Sequence, residues 1–92
     1  MRITAEISLY PLRRDFLPSV QSFIRAVRDA PGLEVTVNQM STQLTGELHE
    51  VSQALERALQ LSFRSGEPQV LVAKFLNADL PINEPPDLGS DA

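Results

Sequence analysis

Cysteine does not occur in these 92 residues, which removes disulfides, thiolate nucleophiles and Cys-ligated zinc at once. The single histidine, His49, stands beside Glu47 and Glu50. A metal site needs three or four ligands, so His49 reads as a solvent-exposed side chain and no metal is expected. Four glycines in all leave neither a phosphate-cradling loop nor a dinucleotide fingerprint, and no Ser-His-Asp set accompanies them. An enzyme is not expected. Basic residues are also short, eight Lys and Arg against twelve Asp and Glu, for a net charge of −4. A nucleic-acid surface needs the opposite balance. Small molecules, cationic or nitrogen-rich ones above all, and other proteins are the partners this charge favours. No apolar run approaches the roughly 20 residues of a membrane span. The opening MRITAEISLY alternates like a strand instead of building a signal sequence, and a cytoplasmic location is expected.

What is present is the pattern of one small domain. Apolar residues make up 42% and charged ones 22%, the balance of a globular chain. Its length implies that well under about 70% of the unfolded surface is buried, so the stability margin is thin. Residues 2–9, RITAEISL, place Ile3, Ala5, Ile7 and Leu9 on one side and Thr4, Glu6 and Ser8 on the other, the period of a half-buried strand. Pro11 is expected to end it. Val20, Phe23, Ile24 and Val27 then form one helical stripe, with Pro18 tolerated in the first turn. Pro31-Gly32 closes that helix.

Residues 33–38 alternate again, and 41–47 form a third, unusually polar strand whose only large apolar residue is Leu44. A second helix is expected over 48–64, with Leu48, Val51, Leu55, Ala58 and Ser62 along one face and Gly66 as its stop. Residues 69–76, QVLVAKFL, make the last strand. It is apolar on both faces, which suits burial by helices on one side and by another subunit on the other. The order β-α-β-β-α-β predicts an α+β, ferredoxin-like sandwich: a four-stranded antiparallel sheet with two helices on one face. The domain is expected to span 1–79. Residues 80–92, LPINEPPDLGSDA, read as a Pro-rich acidic tail, flexible or packed on a partner subunit.

The open sheet face is where function or assembly must lie. It carries Glu6, Ser8 and Tyr10 from the first strand. The third strand, taken as its parallel neighbour, brings Ser41, Thr42, Gln43 and Glu47 beside them. A carboxylate, hydroxyls, an amide and an aromatic ring on one patch suit a flat, nitrogen-rich ligand. The plain alternative is a solvent-wetted face on which Ser and Thr merely fit strand geometry. Arg13 and Arg14 precede the first helix, whose N-terminus favours anions. That leaves a small acyl-phosphate hydrolase as a third, weaker reading.

Two stretches carry a resemblance. AEISLYPL (5–12) and, some thirty residues on, MSTQLTGE (40–47) resemble the YkoF-like thiamine- and hydroxymethylpyrimidine-binding proteins, with similarity over most of residues 2–76. The resemblance implies a ferredoxin-like module that binds its ligand without catalysis and is linked to uptake or handling of thiamine. With one module here, it implies a homodimer or homotetramer. It also implies that Ser41, Thr42 and Gln43 make polar contacts to a pyrimidine, with no cofactor beyond that ligand. Physical chemistry adds Glu6 or Glu47 for the amine and the thiazolium charge, through charge-assisted bonds. Tyr10 or Phe75 could stack on the cation. The competing reading is an assembly or regulatory module whose open face serves only oligomerisation.

Overall fold

A computed structural model describes residues 1–89. The elements follow in the order β1 (Arg2–Pro11), α1 (Leu17–Arg28), β2 (Glu34–Val37), β3 (Thr42–Glu47), α2 (Leu48–Phe63) and β4 (Gln69–Leu76). One sheet in the order β2-β3-β1-β4 holds all four strands, and every neighbouring pair is antiparallel. This is the ferredoxin-like α+β sandwich. One expectation is corrected: β3 runs antiparallel, not parallel, to β1. Each βαβ unit skips a position in the sheet, so the strand that fills the gap is reversed.

Alternation decides the layers. Ile3, Ala5, Ile7 and Leu9 are buried under the helices, together with Leu44, Phe23, Val27, Val51, Leu55 and Ala58. α1 buries Phe23 and Val27, and α2 buries Val51, Ala54, Leu55 and Ala58. The chain turns away after α2 at Gly66, whose φ of +76° suits a residue without Cβ. Gly46 meets a different demand. It faces the helices opposite Ile3, and a Cβ there would come within 2.6 Å of Leu33 Cδ2.

β1 runs two residues further than expected, to Pro11, which pairs with Gln69 at the end of the ladder. β4 departs from expectation. The helices pack over β3, β1 and β2, so β4 is an edge strand with apolar side chains bare on both faces: Val70, Val72 and Leu76 on one, Phe75 on the other.

The segment after β4 turns back across the open face. The Thr4 hydroxyl donates to the carbonyl of Ala78 and accepts from the amide of Leu80, both at 2.8 Å. Arg2 donates to Asp79 at 2.8 Å, and the Thr36 hydroxyl bonds the Asn83 side chain. Residues 78–83 thus strap one half of the sheet face and leave the other half bare.

Candidate functional site

The bare half is the end of the sheet at the β2–β3 turn. In an antiparallel pair, residues directly opposite share a face, and Glu6 stands opposite Gln43. One step on, Ser41 comes beside Ser8. Ser41 Oγ donates to Glu6 Oε2 at 3.2 Å, and Ser8 Oγ donates to the Met40 carbonyl at 3.4 Å. Glu6, Ser8, Tyr10, Asn38, Met40, Ser41 and Gln43 line an open recess of about 420 Å³, with Val72 and Lys74 on its β4 side. Of the seven residues expected at the site, five meet here: Glu6, Ser8, Tyr10, Ser41 and Gln43.

Thr42 and Glu47 do not. Thr42 pairs with Ile7 and so points toward the helices, where it is buried. It lines a second recess, of about 340 Å³, between α1 and the turn. Phe16, Val20, Phe23 and Ile24 form the apolar wall of that cleft, and Ser8, Tyr10, Asn38, Met40 and Ser41 belong to both spaces. The two recesses lie on opposite sides of the 38–41 turn. Glu47 stands opposite Arg2, about 13 Å along the strand from Glu6 at 3.3 Å per residue. Glu6 is therefore the carboxylate of the recess. Phe75, opposite Ala5, faces the helix side, so Tyr10 is the aromatic ring that lines the recess.

Glu47 accepts from the N-terminal ammonium at 2.8 Å. That hydrogen bond and the adjoining positive charge hold its carboxyl below the ordinary value of 4.5. A carboxylate whose folded pKa is depressed stabilises above its unfolded value and loses that contribution as pH falls through the folded one. Glu47→Gln is thus expected to lower the urea midpoint slightly at neutral pH and to match the parent protein in acid, below the folded-state pKa of Glu47. Because the pair is exposed, the effect is small and salt-sensitive.

Electrostatics in the recess centre on Glu6. Lys74 Nζ lies 3.4 Å from Glu6 Oε1, and the lysine is largely exposed. A surface pair of this kind is weak, so a ligand cation can displace the lysine at little cost. Among the described residues, none of the side chains lining the α1 cleft is charged. Arg13, the basis of the hydrolase reading, is engaged by Glu67 at 2.6 Å.

Sequence reasoning missed Asn38, Lys74 and the wall contributed by α1. Asn38 had a legible signal. Its Oδ1 accepts from the amides of Met40 and Ser41, both at 3.0 Å, and asparagine at the start of a turn does this routinely. Lys74 had none, because its position depends on the β1–β4 register.

The architecture defines a class, the ferredoxin-like single-sheet modules, and comparison narrows it. Residues 2–86 match the model of the YKOF-related family, and the chain belongs to that family. An uncharacterised protein of Methanocaldococcus jannascii is similar at 25% identity, over 85% of this chain and 81% of its own, with a TM-score of 0.75. A domain of unknown function from Bacillus cereus is similar at 24% identity, over 90% and 85%, with a TM-score of 0.73. A Thermotoga maritima protein provisionally assigned to thiamine biosynthesis or salvage shares 18% identity over 90% and 92%, with a TM-score of 0.70. At those last two identities the likeness is one of fold. No curated protein sequence matches the chain. Among the described residues, no helix is long and apolar enough to cross a membrane.

Proposed function

We propose that the protein binds thiamine, or its hydroxymethylpyrimidine half, without transforming it, and so serves the uptake or handling of the vitamin. The observation that carries this reading is the meeting of Glu6, Ser8 and Tyr10 with Ser41 and Gln43 around one recess, in a chain of the YKOF-related family. The thiazolium carries a fixed positive charge, and Glu6 is the acceptor for it. Tyr10 offers a ring face to the same cation, a contact worth about 1 kcal/mol or more when desolvated. The pyrimidine suits the uncharged cleft across the turn, where Thr42 adds a hydroxyl to apolar walls.

Membership of the YKOF-related family, beside a fold neighbour provisionally assigned to thiamine biosynthesis or salvage, supports this reading over pure assembly. The bare apolar faces of β4 support self-association alongside binding, as a homodimer or homotetramer in the cytoplasm. Calorimetric titration with thiamine tests the proposal, and no heat and no thermal shift at millimolar ligand would refute it. Thr42→Val keeps the size of the side chain and removes its hydroxyl. It is expected to weaken thiamine about 3- to 10-fold, one neutral hydrogen bond's worth, with the thermal midpoint nearly unchanged. An unchanged dissociation constant would remove Thr42 from the site.

A further inference from the structure

The cleft between α1 and the turn exposes a piece of unpaired strand. In an antiparallel ladder, alternate residues turn both N–H and C=O to the same neighbour. The Leu12 amide donates to the Pro68 carbonyl at 3.0 Å and the Leu48 amide to the Met1 carbonyl at 2.9 Å. Even-numbered residues of β1 therefore address β4, and odd-numbered ones address β3. The β1–β3 ladder stops at Ile7 opposite Thr42. Leu9 is the next odd residue; the register sets Met40 opposite it, but no backbone hydrogen bond joins the two.

The turn that lies alongside is occupied with itself. The Met40 and Ser41 amides go to Asn38 Oδ1, the Asn38 amide goes to the Ser41 carbonyl, and the Met40 carbonyl takes the Ser8 hydroxyl. Among the described residues no hydrogen bond reaches the N–H or C=O of Leu9, and Leu9, Pro11 and Thr42 line the cleft. Pro11, next in phase, has no amide hydrogen and contributes only its carbonyl.

We infer that this free edge at Leu9 is the recognition element for a flat, neutral heteroaromatic ring bearing an amine next to a ring nitrogen. The inference rests on the pyrimidine reading and gives it a specific contact. The Leu9 N–H donates to the ring nitrogen and the Leu9 carbonyl accepts from the exocyclic amine, so the ring makes the hydrogen bonds that the ladder leaves unmade. Phe16, Val20 and Ile24 close on the ring's apolar surface, and the uncharged lining keeps charged ligand groups out of this half.

Amide NMR tests the contact in two stages. Without ligand, the Leu9 amide is expected to exchange with solvent on the order of 100-fold faster than that of Ile7, which the ladder protects. With 4-amino-5-hydroxymethyl-2-methylpyrimidine as probe, the Leu9 proton should move downfield and its exchange should slow. The same pyrimidine lacking the amine should bind about 10-fold more weakly, the equivalent of one hydrogen bond. A Leu9 amide as protected as Ile7 in the free protein would overturn the inference. So would amides of 38–43 that respond to the probe while Leu9 does not, an outcome that leaves the pyrimidine reading standing. If no amide responds at millimolar probe, both fall together.

Discussion

Leu44→Ala is expected to cost about 2–5 kcal/mol of folding stability, the range for truncating a buried leucine. Leu44 has no exposed surface and stands between Ala5 of β1 and Val35 of β2, where α2 covers β3. It is the one large apolar side chain that the polar strand puts under the helices. A domain this small has little reserve, on the order of 5–15 kcal/mol in all. The truncated protein should therefore show a much lower urea midpoint and a thermal midpoint reduced by several degrees. A loss below about 1 kcal/mol, less than any cavity of this kind produces, would mean that Leu44 is not part of the closed core.

Glu6→Gln is expected to weaken thiamine binding about 10- to 100-fold, from the loss of a charge-assisted contact worth roughly 1.5–3 kcal/mol. The uncharged hydroxymethylpyrimidine should bind nearly as before, because its ring sits across the turn from Glu6. The opposite change is informative too. Lys74→Met frees Glu6 from its 3.4 Å partner and should tighten thiamine a few-fold, since a surface ion pair contributes little but occupies the acceptor. Equal losses for both ligands in Glu6→Gln would contradict the division of the site into a cationic and a neutral half.

Much of the fold was legible because β1 alternates cleanly, β4 has clear boundaries and the helices have single apolar stripes. Val20, Phe23, Ile24 and Val27 foretold which side of α1 turns inward, and Val20 and Ile24 proved to line the cleft as well. Direction and register were harder. The pairing of 41–47 with β1 was foreseen and its direction was not, although the β-α-β-β-α-β order, with each crossover skipping a position, makes that pair antiparallel. The run STQLT has polar groups on both faces, so its composition alone could not separate Ser41 and Gln43 from Thr42. Leu44 held the answer. Once it is assigned to the core, Thr42 shares its face by parity, and Ser41 and Gln43 take the other.

The strap over Thr4 was not legible at all. Thr4 reads as a solvent-facing residue, and only the return of residues 78–80 buries it. The wall supplied by Phe16 lies outside any periodic element, ahead of α1, and no local pattern points to it. The bare faces of β4 were similarly hidden. An apolar strand looks buried in sequence, and only the offset of the helices toward β2 leaves it uncovered.

A crystal structure of the protein with thiamine bound tests the central claim most directly. The expected result is the vitamin wrapped around the 38–41 turn, with its thiazolium against Glu6 and Tyr10 and its pyrimidine in the α1 cleft beside Thr42. Thiamine held elsewhere, with bulk water against Glu6, Ser41 and Thr42, would contradict the account.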